Sequence, residues 1–262
     1  MFRQSYVWYA DINEPGASMM TILRKGRCAS MNDEYQALCD WLYATRDEPL
    51  EHMASFFGAR IADYEQHMSP WLEHYDWMAR LVPENACNLL DIGCGTGLEL
   101  DSIFSRLPEL RVTGVDLSGE MLSRLAAKHA GRALTLIQAD YFECDLGTER
   151  FDVAISFETL HHFTLARKIG LFRRIFNCLK PGGIYLECDY IAQTQEIEDL
   201  LFDECARRRA RDGISPDVYV HFDTPLTLDH ELLAMREGGF SNVEVLGYIP
   251  GDRNTPMLRA IK

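Results

Sequence analysis

The sequence contains no apolar run approaching the roughly 20 residues that a membrane-spanning helix needs. Its opening, MFRQSYVWYADINE, carries an acid where a signal peptide would keep an apolar stretch. A soluble, cytoplasmic protein with no membrane partner is expected. No low-complexity tract is present, which excludes disorder, collagen and coiled coil. Cations are scarce: 26 Lys and Arg against 40 Asp and Glu give a formal net charge of −14. Such a surface repels a phosphate backbone on average, so no nucleic-acid partner is expected. The eight cysteines form no CxxC and no Cys/His cluster of zinc spacing. No metal site is expected, and most thiols read as buried in a reducing compartment.

What is present is an ordered globular composition, 47% hydrophobic and 25% charged over 262 residues. That length suits one large domain, or one domain with a substantial cap. Residues 1–82 differ from the rest: all four tryptophans (Trp8, Trp41, Trp71, Trp77) fall there, without a Gly-rich strand-to-helix turn. Helices are expected over 34–45 and 50–67. A third follows, in which Ser69 can cap, Pro70 suits the first helical position, and Trp71, Tyr75, Met78 and Leu81 recur at helical spacing before Pro83 stops it. In residues 1–30, SYVWY suits either a strand or a docking arm. An arm there could join two copies; the oligomeric state stays open.

From Asn88 the rhythm changes to short apolar strands alternating with amphipathic helices, the sign of βαβ units. Strands are expected at 88–92, 111–116, 134–139, 151–157 and 183–188. Helices follow at 98–107, from the Ser118 cap to near Gly131, and through Leu165, Ile169, Phe172, Ile175 and Leu179 up to LKPGG. The helix between the third and fourth strands is weak or missing. A polar helix at about 193–211 ends in RRRAR, read as a solvated face that complements the helix dipole. After an irregular SPDVYVHFDTPLT comes a helix capped by Thr227 and closed by Gly238 and Gly239. NVEVLGYI and PMLRAIK then form a hairpin across GDRN, so the last strand runs antiparallel in an otherwise parallel sheet.

The most informative stretch is LLDIGCGTGLELD, a buried strand that empties into Gly93, Gly95 and Gly97 and then a helix. Glycines there let the backbone turn sharply and approach a ligand. Asp116, at the end of the second strand, stands where an acid can accept both hydroxyls of a ribose. Asp140 of QADYF ends the third strand. Dinucleotide enzymes share the turn and the first acid, but Leu98 occupies the place of their third glycine.

The set DIGCGTG, VDLS, QADYF, FDVAISFETLHHF and LKPGGIYLECDY, in that order, resembles the class I S-adenosylmethionine-dependent methyltransferases from about Ile61 to the C-terminus. The resemblance implies an α/β, Rossmann-like seven-stranded sheet of order 3-2-1-4-5-7-6 with strand 7 antiparallel. It further implies a core over 83–262 behind an amino-terminal helical cap, with 190–226 as a substrate-side insertion. It implies S-adenosylmethionine as cofactor and S-adenosylhomocysteine as product. The methionine part would lie against Asp91 and the Gly93, Cys94, Gly95 and Gly97 turn, and the ribose on Asp116. Leu117 and Met121 would pack the adenine, Asp140 would accept its amino group, and the Tyr141 amide would face a ring nitrogen. The Ser156 backbone would sit near the methionine amine.

The sulfonium already activates its methyl group, so the chain must supply positioning and, for some acceptors, a base. Ligands of open parallel sheets sit at the carboxyl ends of the strands, which points to residues after strands four and five. His161 and His162 are candidate bases. Asp189 and Tyr190 are candidates for holding a polar group of the acceptor, and His221 with Asp223 for closing over the site. FFGARIADYEQHM resembles the segment that precedes the core in small-molecule methyltransferases, which makes Tyr64 a candidate for reaching cofactor or acceptor, with His67 and Met68 beside it. SFET replaces the Asn/Asp-Pro-Pro-aromatic turn of adenine and glutamine amino methylation. No cysteine pair suits carbon-5 pyrimidine methylation, and no trio of acids and amides suits a magnesium-bound catechol. The expected reaction is methyl transfer to oxygen or nitrogen of a small molecule. Rival readings are a same-fold enzyme using a modified, carboxylated cofactor, a non-enzymatic cofactor-binding partner protein, and an NAD(P)-dependent oxidoreductase.

Overall fold

The computed structural model describes residues 31–262; the expected arm, with Trp8 and Cys28, lies outside the described residues. The amino-terminal part runs through helix α1 (Met31–Ala44), a two-residue strand β1 (Glu51–His52), helix α2 (Met53–Arg60), a single turn α3 (Tyr64–His67), a 3-10 turn (Ser69–Trp71) and helix α4 (Leu72–Leu81). The core then follows as β2 (Asn88–Ile92), α5 (Leu98–Arg106), β3 (Arg111–Asp116), α6 (Gly119–Lys128), β4 (Leu134–Gln138), β5 (Phe151–Phe157), α7 (Leu165–Cys178) and β6 (Leu179–Cys188). The chain closes with α8 (Gln195–Asp212), β7 (Val220–His221), α9 (Leu228–Gly238), β8 (Asn242–Gly247) and β9 (Met257–Ile261). Among the described residues no helix is long and apolar enough to cross a membrane.

Seven strands form one sheet in the order β4-β3-β2-β5-β6-β9-β8. The first five pair in parallel, and β9 runs antiparallel between β6 and β8. Numbered within the core alone, this is the expected 3-2-1-4-5-7-6. Successive side chains alternate across a strand. On β2, Leu89 therefore packs on one face with Val112, Val153 and the residues of α4 and α5, while Leu90 packs on the other with Val115, Ala154 and the residues of α7 and α9. Both faces are covered, which is why these strands read as nearly continuous apolar runs. Local chemistry sets the helix starts: Ser118, Thr164, Thr194 and Thr227 each accept a backbone N–H from the first turn of α6, α7, α8 and α9.

The structure departs from the sequence reading in four places. Residues 50–67 are not one helix. Residues 51–52 leave helical geometry to pair antiparallel with His221 and Val220, the Met53 N–H reaches the Tyr219 carbonyl at 3.0 Å, and the helix breaks again before Tyr64. A long-range pairing thus overrides local propensity. Ser69 makes no capping bond, because the 3-10 turn precedes α4 and Trp71 takes the cap position. Strand β6 begins at Leu179, opposite Phe151, and passes through LKPGG by a register shift. RRRAR is solvated only in part: Arg207 and Arg211 are exposed and donate to Arg46 O and Glu48 O, whereas Arg208 is buried and donates to Leu42 O and Thr45 Oγ1. Since α1 has no basic residue in its own last turn, arginines of α8 satisfy the carbonyls at its end.

Helices α7 and α9 approach closely through Gly238, where an added Cβ would stand 2.5 Å from Phe172 Cβ and 3.0 Å from its carbonyl carbon. Backbone cannot yield as a flexible side chain would. Gly238→Ala is therefore expected to lower the stability by about 1–3 kcal/mol despite the better helix propensity of alanine. Urea denaturation checks this, and an unchanged midpoint would show that the helices separate at no cost.

Candidate active site

The turn after β2 works because three glycines take left-handed backbone: Gly93, Gly95 and Gly97 have φ of 69, 46 and 71°. A Cβ at Gly93 would stand 2.2 Å from Thr159 Oγ1, so the turn and the loop after β5 meet where only glycine fits. Asp116 at the end of β3 fastens it. One carboxylate oxygen accepts the Gly95 N–H at 2.9 Å, and the other accepts the Ser118 N–H at 2.7 Å. Burial raises its pKa, and the backbone donors oppose that rise.

Beneath the turn lies an electrostatically incomplete recess. Asp91 and Glu99 are both buried, and among the described residues each has a carboxylate oxygen without a hydrogen-bond partner, while the Thr96 hydroxyl has none either. Burial and the neighbouring Glu99 push the Asp91 carboxyl well up, and burial raises Glu99 as well. Tyr64, Tyr75, Cys94, Thr96 and Glu99 wall this recess. Two buried acids in a recess that no Lys or Arg lines among the described residues suit an ammonium group. Cys94 itself packs on Gly114, where an added Cβ would stand 2.7 Å from its sulfur. Glu99 escaped the sequence reading because an acid in a first helical turn normally serves the dipole.

Next to the recess an open cleft lies at the carboxyl ends of the strands, where ligands of open parallel sheets bind. Gly93, Gly95, Asp116, Leu117, Met121 and Tyr141 line it. Met53, Phe57, Tyr64, Phe157, Glu158, His162, Phe163 and Tyr219 belong to its lining as well. Of the candidates from sequence, the structure thus brings Tyr64, Tyr141 and His162 to this cleft together with the glycine turn, Asp116, Leu117 and Met121. Asp140 stands just behind: its oxygens accept the Phe142 N–H at 2.8 Å and the Tyr219 hydroxyl at 2.6 Å.

The two adjacent histidines part company. His161 is buried, with Nδ1 2.5 Å from Asp189 and Nε2 3.6 Å from Asp223. Burial disfavours its charge, but these carboxylates outweigh it and raise its pKa to about 9. His162 is turned the other way, with Nδ1 3.2 Å from the Phe222 carbonyl. Burial and the neighbouring His161 and His221 hold its pKa well below the usual value, so it is neutral.

The remaining candidates lie elsewhere. Asp189 accepts the N–H groups of Leu160 (2.7 Å) and Tyr190 (2.8 Å) besides His161, so it holds the loops together behind the cleft wall. Tyr190 is buried off the cleft, with its hydroxyl unpaired among the described residues. His221 stacks on Phe56 with ring centroids 3.4 Å apart, and burial lowers its pKa to about 4. His67 is exposed. The Ser156 hydroxyl pairs with Tyr185, 2.6 Å away, while the expectation for Ser156 concerned its backbone. Sequence reasoning missed Glu158, Thr159, Phe57, Met53 and Tyr219. For Glu158 the signal is conformational: φ of 48° at a non-glycine residue marks a constrained site.

Residues 89–183 match the family described as "Methyltransferase domain". A carboxy-S-adenosyl-L-methionine synthase of Aeromonas salmonicida is 29% identical over 133 residues, 48% of this chain and 53% of that protein. The putative methyltransferase YqeM of Bacillus subtilis is 35% identical over 130 residues, 47% of this chain and 51% of that one. The chain spans about half the length of these curated relatives. A solved structure of a putative O-methyltransferase from Nostoc punctiforme superposes with a TM-score of 0.57 at 23% identity, over 74% of this chain and 58% of that one. Residues 89–183 thus carry a methyltransferase domain, and the strand order and glycine turn are those of the class I S-adenosylmethionine-dependent methyltransferase fold. S-adenosylmethionine is the cofactor of that class, and the recess and Asp116 fit its ammonium and ribose.

Asp189→Asn tests the structural role given to Asp189. Weakening one partner of a buried, hydrogen-bonded pair costs about 3–5 kcal/mol, and the loss is expected in urea denaturation without ligand. A variant of native stability would show that the carboxylate charge is not holding the loops.

Proposed function

We infer that the protein transfers the methyl group of S-adenosylmethionine to oxygen or nitrogen of a small acceptor, with His162 as the general base. One observation carries the choice of base. The Phe222 carbonyl can only accept, so the hydrogen of the neutral His162 ring sits on Nδ1 and Nε2 keeps its lone pair. In this reading Asp91, Glu99 and Thr96 hold the methionine end, Asp116 the ribose, and Leu117, Met121 and Tyr141 the adenine, with Asp140 behind them. Tyr64 bridges the two halves of the site, since it walls both recess and cleft and its hydroxyl stands 3.5 Å from the position of a Cβ on Gly95. The bound cofactor supplies an electrophilic methyl; the chain orients it, excludes water and receives the acceptor's proton.

A small acceptor is supported by the form of the entrance. Met53 and Phe57 from α2 lean over the cleft, and pairing of β1 with β7 fixes that helix to the 190–226 segment. Residues 31–82 and 190–226 thus act as one cap in this reading, whereas a duplex or a protein surface would need an open rim. The same walls speak against a carboxylated cofactor, because among the described residues no Lys or Arg lines cleft or recess to receive the added carboxylate. Leu98 in the place of a third glycine and the antiparallel β9 do not suit a nicotinamide enzyme.

Thermal unfolding with S-adenosylmethionine, S-adenosylhomocysteine or NADH tests the cofactor. At about a hundred times the dissociation constant a ligand adds roughly 2.7 kcal/mol, which corresponds here to a rise of about 5–10 °C. The rise is expected with the two sulfur ligands only and is expected to vanish in Asp116→Ala; a rise with NADH alone would overturn the reading. For the base, His162→Gln is expected to lower kcat about 10²–10⁴-fold in an acceptor assay and to leave S-adenosylhomocysteine affinity unchanged. A kcat within a few-fold of wild type would remove His162 from the mechanism.

A further inference from the structure

Behind the cleft wall, His161, His162 and Asp223 converge so that one ligand atom of each lies within 4.8 Å of the others. Asp223 Oδ1 stands 3.6 Å from His161 Nε2 and 3.5 Å from His162 Nδ1. Ligands bonded to zinc at about 2.0–2.1 Å stand about 3.3–3.4 Å apart at the corners of a tetrahedron. The two separations from Asp223 need only a slight contraction, and the two imidazoles each offer a nitrogen within 4.8 Å of the other. The three side chains are 7, 4 and 8% exposed, so water competes poorly for them. An outer partner is also in place. Asp189 engages His161 Nδ1 at 2.5 Å and is itself held by two backbone N–H groups, which leaves Nε2 directed at Asp223. This is the carboxylate–histidine arrangement that orients a metal-bound imidazole.

We propose that His161 Nε2, His162 Nδ1 and Asp223 Oδ1 form a binding site for a divalent transition-metal ion, zinc by its ligand chemistry. Two imidazoles and one carboxylate suit zinc, whereas magnesium and calcium prefer oxygen alone. The carboxylates of Asp189 and Asp223 supply two formal negative charges around the ion. The spacing rule applied to the sequence does not reveal such a site, because two ligands are adjacent and the third comes from the far side of α8.

Of the three ligands only His162 lines the cleft, so the ion sits behind the wall and does not reach an acceptor. It acts through His162. With Nδ1 on the ion, the ring hydrogen moves to Nε2, and the lone pair facing catalysis is lost. Occupancy therefore inhibits methyl transfer and leaves cofactor binding intact. This consequence rests on the assignment of His162 as base; the binding of the ion does not.

The test uses the metal-stripped full chain without cofactor. Cobalt(II), which absorbs strongly in the visible when tetrahedral, is titrated by spectroscopy, and zinc by equilibrium dialysis. One cobalt per chain with a visible band, displaced by zinc, is expected, with affinity at least about tenfold lower in both His162→Gln and Asp223→Asn. Absence of the band in the wild-type chain, or equal affinity in wild type and both variants, would overturn the site. The inhibitory consequence is read separately: turnover is expected to fall in step with zinc occupancy at constant S-adenosylhomocysteine affinity. Full turnover at full occupancy would overturn it. Failure of the chain to bind S-adenosylhomocysteine would strike the proposed function and leave the cobalt result standing.

Discussion

The link from Asp189 through His161 to Asp223 is the interaction on which the geometry of the cleft depends. It ties the end of β6, the loop after β5 and the segment after β7 just beyond the last β5–β6 pair, Phe157 with Cys188, and beside the Thr224 N–H bond to His161 O at 2.8 Å. Taking such charges out of water is costly, and the cost is offset only because Asp189 also receives two backbone N–H groups. An apolar cluster of equal volume could hold the three segments together but would leave their angles loose. The ion pair fixes them, and with them the orientation of the next residue. His162 presents one nitrogen to Phe222 because its neighbour is immobilised on the other side. The two histidines share a turn, and burial among carboxylates against burial beside a carbonyl decides which is charged and which is neutral.

On the other wall the same physics runs in reverse. Asp91, Glu99 and Thr96 are buried with polar atoms left unpaired among the described residues. Structures rarely leave such groups unsatisfied, so they read as places kept for a ligand. The glycine turn above them is rigid for the opposite reason: its donors are engaged, with the Gly93 N–H on Val115 O and the Gly95 N–H on Asp116. A saturated backbone turn over an unsaturated side-chain recess favours a ligand that brings a cation below and hydroxyls above. That is the polarity of an amino acid joined through sulfur to a nucleoside.

The sheet was legible in the sequence because parallel strands buried on both faces must be apolar, and turns with positive φ must be glycine. Gly93, Gly95, Gly97 and Asp116 could be placed by such rules alone, and the terminal hairpin followed from GDRN between two apolar runs. The cap could not. Residues 50–67 carry a helical pattern, yet two of them form a strand whose partner is far along the chain. RRRAR looks like a solvated face until the helix end it covers is known. Asp189 sits at the expected strand end, but a strand end has two sides and the sequence does not say to which side its side chain turns. Glu158 shows the limit from another direction, since nothing in SFET announces a left-handed residue.

Acceptor recognition is consequently built from pieces that are each too short to persist alone. Strands β1 and β7 have two residues apiece, and an isolated two-residue pairing is not stable in water. It holds here because Met53 bonds Tyr219 O, Phe56 stacks on His221, and Tyr219 is anchored on Asp140 and Arg167. In the proposed function Asp140 stands on the adenine side, so the residues proposed to shape the acceptor entrance and those proposed to hold the nucleoside share one network. A substitution in 50–60 or in 219–223 acts on both, and acceptor specificity in this fold therefore cannot vary through either segment alone.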